Sequence, residues 1–166
     1  MSLGWEPLEA EDLDRLDAIQ RAVHADLPEP RALLAEKRSL FPAGCRKLVG
    51  SAGMVGYALS HPWRLGCVPV LGAPLGPLPA RPDCLHMHDV AILPEGRGQG
   101  AAGIYAAHLR DLARARGIDA LACVSVYGTG PFWTRHGFAA ASPQPAPGAL
   151  RSYGAGAVYL TARLTA

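Results

Sequence analysis

The sequence predicts an α/β domain with a mixed sheet flanked by helices, and three observations predict it. Residues 85–93 and 119–126 are apolar, strand-like runs, and residues 100–116 between them carry a helical apolar stripe. Strand, helix and strand at this spacing form a right-handed crossover that joins parallel strands. Residues 45–50 and 54–61 are two further strand-like runs parted only by Ser51-Ala52-Gly53, which reads as an antiparallel hairpin. Two amphipathic helical segments precede the hairpin, so helices are available to cover the sheet.

In chain order, residues 5–8 read as a first strand. From Glu9 the pattern turns helical, with Leu13, Leu16, Ile19 or Gln20, and Val23 on one face and Glu9, Glu11 and Asp12 at the positive end of the dipole. Pro28-Glu29-Pro30 breaks the chain, and residues 31–40 form a second helix stopped by Pro42. These two helices and their connection are expected to make one wall of an acceptor site. After the hairpin, six prolines fall between Pro62 and Cys84. That stretch reads either as a functional loop or as a loose hairpin extension with residues 68–71 as a strand end.

The 100–116 helix is expected to turn Ala101, Ile104, Tyr105, His108, Leu109, Leu112 and Ala113 inward, with Gly117 as its cap. Thr129-Gly130-Pro131 opens a short helix that Gly137 ends, residues 138–141 form a strand, and residues 153–164 form the last one. No internal repeat is visible, and residues 1–166 read as a single domain.

Composition narrows the function classes. Hydrophobic residues make up 49% of the chain and charged residues 18%, which describes a globular domain with a substantial core. A formal charge of +2 offers no basic patch for nucleic acid. No apolar run is long enough to span a bilayer, and the N-terminus lacks the pattern of a signal peptide. Cys45, Cys67, Cys84 and Cys123 form no C-x-x-C pair, so the expectation is reduced thiols in a cytoplasmic protein and no metal site.

In open α/β sheets ligands bind beyond the carboxyl ends of parallel strands, here near residues 92–103 and 124–130. Arg97-Gly98-Gln99-Gly100-Ala101-Ala102 lies there, between a strand and a helix start. Small residues let backbone N–H groups approach an anion, and the helix dipole adds attraction. The spacing gives neither a P-loop nor G-x-G-x-x-G, so these residues alone admit both an anion cradle and a plain tight turn.

Arg97-x-x-Gly100-x-Ala102 after Pro94 resembles the Q/R-x-x-G-x-G/A signature of the GNAT acyltransferase superfamily. Phe132-Trp133-Thr134-Arg135-His136-Gly137-Phe138 resembles its closing helix and Gly-Phe pair. The resemblance implies a splayed, mostly antiparallel sheet with one central parallel strand pair and acetyl-CoA between those two strands. It implies the backbone of Gly98, Gln99, Gly100, Ala101, Ala102 and Gly103 on the pyrophosphate, and that of Val90, Ala91 and Ile92 on the pantetheine. Arg97, Phe132 and Trp133 complete the cofactor wall. The implied reaction is N-acetyl transfer to the amine of a small molecule by direct attack in a ternary complex. A GNAT-fold module that binds acyl-CoA without turnover is the alternative, with O-acyl transfer or acyl-CoA hydrolysis behind it. A homodimer stays open.

His86 and His88 lie two apart on a strand, which predicts a shared face with Val90 and Ile92 and places Asp89 opposite. A neutral imidazole is a competent base near pH 7, and an alkylammonium acceptor must lose a proton before it attacks a thioester. The His-x-His pair resembles the arylalkylamine N-acetyltransferase branch, and the His-Asp pair many bacterial members of the superfamily; His86 is the preferred base. Histidines simply packed on a buried strand are the other reading. Trp133 stands where many members carry a tyrosine thought to protonate the departing thiolate. An indole is no useful acid, so Tyr127 is the substitute, unless it only covers the core.

Overall fold

A computed structural model describes residues 2–164. A seven-stranded sheet organises the chain. Its strands are β1 (Gly4–Pro7), β2 (Arg46–Gly50), β3 (Gly53–Trp63), β4 (Cys84–Ile92), β5 (Ala120–Ser125), β6 (Ala139–Ala140) and β7 (Val158–Arg163), in the order β1-β2-β3-β4-β5-β7-β6. Every neighbouring pair is antiparallel except β4 and β5, which run parallel. The expected mixed sheet with one central parallel pair is therefore present. Four α-helices accompany it among the described residues: α1 (Leu13–Val23), α2 (Arg31–Leu40), α3 (Ala101–Ala115) and the short α4 (Gly130–Thr134).

Each face of the sheet has its own core. On one, α1 and α2 bury Leu13, Leu16, Ile19 and Leu34 against Tyr57, Leu59 and Ala91. On the other, α3 buries Tyr105, Leu109 and Ala113 against Leu85, Met87, Leu121 and Cys123. The buried residues of α3 are Ala101, Tyr105, Ala106, Leu109 and Ala113, with Leu112 packed against the same core, so the inward face turns toward Ala106 and Ile104 faces solvent at 60% exposure. The Tyr105 hydroxyl, sealed in this core, bridges Ser60 Oγ at 2.5 Å and the Gly44 carbonyl at 2.7 Å. Gly117 (φ +69°) ends α3 in the left-handed conformation, with Ile118 N–H bonded to the Ala113 carbonyl.

Three expectations change. Residues 68–71 form no strand: the chain from 64 to 83 is a loop tied down by hydrogen bonds. The strand expected from residue 153 begins at Val158, because Pro147–Tyr153 forms a 3-10 turn and Gly154 and Gly156 follow with positive φ. The strand expected over 138–141 shortens to Ala139–Ala140.

Two irregularities position the site. The β4–β5 ladder runs only from Leu85↔Leu121 to Met87↔Cys123, and beyond it the edge of β4 has no strand beside it. The β3–β4 ladder shifts register between Leu59↔Asp89 and Ser60↔Met87, leaving His88 as an extra residue in β4. Such a bulge reverses the alternation of side chains that follow it. Met87 and Val90, three apart, accordingly both pack toward α3, whereas Ala91 joins the α1–α2 core.

Candidate active site

A cleft of about 640 Å³ opens where β4 and β5 part. Its floor is the unpaired edge of β4, its far wall the end of β5, and its two ends differ in chemistry.

At one end lies the glycine loop. Pro94–Gly96 makes a 3-10 turn, and Arg97 returns its Nε to the Ile92 carbonyl at 2.8 Å, closing the strand-to-helix corner. Gly98 (φ +77°) and Gly100 (φ +74°) both adopt the left-handed conformation, which a side chain disfavours, and a Cβ on either would meet nothing within 4 Å. Open space lies above these two residues at the start of α3, whose first amides have no acceptor within the helix and whose first turn holds no acidic residue. An anion fits there on backbone N–H groups and the helix dipole. Gly103 serves packing instead: a Cβ on it would come within 2.5 Å of the His136 ring. Phe132 and Trp133, stacked edge to face at 4.9 Å, line this end.

The other end is built around two carboxylates. Asp89 accepts a hydrogen bond from the buried Tyr57 hydroxyl at 2.5 Å on Oδ2 and meets His24 Nε2 at 2.6 Å on Oδ1. Burial and the adjacent Asp89 charge hold the Tyr57 phenol well above its ordinary pKa, so it stays a donor. His24 follows the last turn of α1, its N–H on the Gln20 carbonyl. Burial pulls its pKa down, but the Asp89 hydrogen bond and the charges of Asp89 and Glu29 outweigh it and set it above 6.5. The Tyr127 ring stacks on His24 with centroids 6.0 Å apart. At φ +55°, Tyr127 is the one non-glycine residue with positive φ among the described residues.

Glu29 is more deeply set. His88 Nε2 lies 2.7 Å from Oε1, while the Gly72 N–H donates to Oε2 at 2.9 Å and Lys37 Nζ stands 3.6 Å from it. Gln20 clasps the Glu29 backbone, receiving its N–H at 3.0 Å and donating to its carbonyl at 2.5 Å. Burial raises the Glu29 pKa, but His88, Lys37 and the Gly72 amide together bring it down to about 2.

The expected faces need correction. His86 and His88 do share a face, with rings 6.2 Å apart, but the bulge at His88 puts Asp89 on that face too and turns Val90 and Ile92 toward α3. His86, the preferred base, is 1% exposed and does not line the cleft. It packs between His61 and His88, and burial, with those imidazoles beside it, holds its pKa well below 6.5. It cannot exchange a proton with an acceptor in the cleft. Ala91, Gln99 and Gly103 also lie off the cleft surface. His88, Val90, Ile92, Arg97, Gly98, Gly100, Ala101, Ala102, Tyr127, Phe132 and Trp133 line it together.

His24, Glu29, Asp89 and Tyr57 carry no sequence signal as a set. The α1–α2 connection was expected near the acceptor, but His24 and Glu29 find their partners 65 and 59 residues away, and neither sits in a motif. Among the described residues no group of three or more His, Cys, Asp or Glu side chains could hold a metal ion. Nor is any helix among the described residues long and apolar enough to cross a membrane.

Several solved structures share this architecture. The GphF GNAT-like decarboxylase in complex with isobutyryl-CoA superposes with a TM-score of 0.80 at 19% identity, covering 98% of this chain and 100% of that one. The loading GNATL domain of CurA from Lyngbya majuscula gives 0.76 at 16% identity, covering 98% of each. N-acetylglutamate synthase from Neisseria gonorrhoeae, complexed with coenzyme A and N-acetyl-glutamate, gives 0.74 at 21% identity; all of this chain corresponds to only 36% of that one. At such identities the likeness is one of fold. No curated protein matches the chain. The profile of the acetyltransferase (GNAT) family matches residues 9–138, most of the chain and both ends of the cleft, and the chain belongs to that family.

Proposed function

We propose that the protein is an N-acetyltransferase that moves the acetyl group of acetyl-CoA to the amine of a small molecule, by direct attack with both substrates in the cleft. The observation that carries this reading is the unpaired edge of β4 running from Met87 into the open cradle at Gly98–Gly100. An extended, amide-bearing chain that ends in a pyrophosphate matches that sequence of surfaces: strand edge first, helix N-terminus last. The fit supports coenzyme A, and a solved neighbour carries coenzyme A in its crystal. In this reading Val90 and Ile92 flank the pantetheine, Gly98, Gly100, Ala101 and Ala102 hold the pyrophosphate, and Phe132 and Trp133 close the side.

A small acceptor is supported by the roof over the other end. Leu71 N–H bonds Ser152 Oγ at 3.0 Å, and the Tyr153 hydroxyl bonds the Pro69 carbonyl at 2.6 Å. The 64–83 loop is thereby tied to the turn before β7, over an end of the cleft that Leu71 and Tyr153 line. In this reading Tyr127, which lines the cleft and whose pKa is raised, first by burial and then by Asp26 and Asp89, returns a proton to the departing thiolate.

Trp133 in place of a tyrosine favours a second reading, a module that binds acyl-CoA and does not turn it over. One assay separates the two: release of free thiol from acetyl-CoA across a panel of amines and short peptides, beside the thermal shift that acetyl-CoA produces. Amine-dependent thiol release supports the enzyme; a thermal shift with no release from any acceptor supports the binding module. Without a thermal shift both readings fall.

A further inference from the structure

The acceptor end of the cleft has a chemistry of its own. Val23, Leu27, Leu71 and Tyr153 give it apolar and aromatic walls, and its charged groups are Asp89 and Glu29. Arg97 is the one arginine or lysine among the residues lining the cleft, and it belongs to the glycine loop at the opposite end. Lys37 is wholly buried behind Glu29 and spends its charge there. A substrate carboxylate entering this end would meet two carboxylates already engaged and no arginine or lysine free to receive it.

His24 is the group left able to act. Its Nε2 lies on Asp89, whose other oxygen Tyr57 holds, so the imidazole orientation is set from the sheet. In the neutral ring Nε2–H donates to Asp89, which leaves the Nδ1 lone pair free. Nδ1 has no hydrogen-bond partner among the described residues and is not among the buried unpaired nitrogens. His88, by contrast, has Nε2 on Glu29 and Nδ1 sealed from solvent. The other charged or titratable groups around His24 are Glu29 from the α1–α2 connection and Tyr127 from just past the end of β5, with the charge of Asp26 acting on Tyr127.

We propose that this end of the cleft takes a primary amine with an apolar body and no carboxylate, and that Nδ1 of His24 removes its proton. The proposal rests on the N-acetyl transfer reading and names its acceptor class and base. The acceptor arrives as an alkylammonium with three N–H bonds. One proton passes to His24 Nδ1, and the freed lone pair forms the C–N bond at the thioester carbon. As the C–S bond breaks, a second proton goes to the thiolate and the third stays on the amide. His24 then loses its proton to solvent, so each turnover releases one proton, one free thiol and one amide. Asp89 acts as a positioning residue through His24.

The test uses acetyl-CoA with matched probes: 2-phenylethylamine against phenylalanine, and isopentylamine against leucine, each pair differing by one carboxylate. The amines are expected to exceed their amino acids in kcat/KM by at least roughly 100-fold, as for a buried polar group left unpaired. For the better amine, kcat/KM should rise with pH through a midpoint above 6.5. His24→Gln should lower kcat by about 10²- to 10⁴-fold and flatten that profile, and Asp89→Asn should move the midpoint down. Both variants should keep the acetyl-CoA thermal shift, which certifies their fold; if His24→Gln does not fold, the Asp89→Asn profile decides. Preference for the amino acids overturns the acceptor class. An unchanged profile in His24→Gln or Asp89→Asn overturns the base while leaving the acetyltransferase reading intact. No thiol release with any probe, despite a thermal shift, overturns that reading and this proposal with it.

Discussion

Replacing Glu29 by Gln tests the electrostatic centre of the acceptor wall. The carboxylate is 3% exposed and its partner Lys37 wholly buried, so solvent screens neither. A carboxyl held at about 2 instead of 4.5 stabilises the fold at neutral pH by about 3 kcal/mol. Removing one member of a buried pair costs roughly 3–5 kcal/mol, because the other charge is left uncompensated. The two routes agree, so Glu29→Gln should lose about 3 kcal/mol, read as a lower urea midpoint with an unchanged slope. Lys37→Met should rescue part of it, since the double variant strands no charge, and the coupling should reach roughly 1–3 kcal/mol.

The same reasoning fixes a pH dependence. The folded-state pKa of Glu29 is depressed, so its contribution is complete above 4.5 and fades as pH falls toward about 2. The stability gap between wild type and Glu29→Gln should therefore be widest at neutral pH and narrow through that window. A gap under about 1 kcal/mol at pH 7, or a double variant no more stable than Glu29→Gln, would show that the pair does not hold this wall together.

Two further outcomes follow from the fold. Acetyl-CoA at 100 times its dissociation constant should stabilise the protein by about 2.7 kcal/mol, and Gly100→Glu should abolish the shift in a thermal melt by adding a side chain and a negative charge where φ is +74° and the space is open. Tyr105→Phe should cost about 1–3 kcal/mol in urea unfolding, since it strips the Ser60 hydroxyl and the Gly44 carbonyl of a buried partner, and should leave the acetyl-CoA shift unchanged.

Much of this architecture is readable because its signals are local. The α2 boundaries follow from Pro30 before it and Pro42 after it, and the crossover follows from the apolar runs around one amphipathic helix. The glycine cradle is readable for the same reason: two positive-φ positions fall on two glycines just before a helix. Ile104 faces solvent because the buried face of α3 runs through Ala101, Tyr105, Ala106, Leu109 and Ala113, and at about 100° per residue Ile104 falls outside its edge. The acceptor end is different in kind. Its hydrogen bonds join the α1–α2 connection, β3, β4 and the 64–83 loop, and each of His24–Asp89, Tyr57–Asp89, Gly72–Glu29 and His88–Glu29 links residues at least 32 apart in sequence.

The bulge at His88 shows why that limit is physical. Residues 86–92 contain no glycine or proline to announce an interruption, so a period of two is the natural reading. The extra residue is visible only against β3, where Leu59 faces Asp89 and Ser60 faces Met87. Regular alternation from Met87 would send Asp89 into the α3 core beside Tyr105 and Leu109, burying a carboxylate among apolar groups with no partner there. With the bulge, Asp89 instead reaches Tyr57 and His24, and His88 still reaches Glu29 from the same face. One inserted residue thus delivers two neighbouring side chains, which a regular strand must send to opposite faces, into the same end of the cleft. The burial cost of Asp89 on the wrong face is what selects that register, and the paired acceptor wall is its consequence.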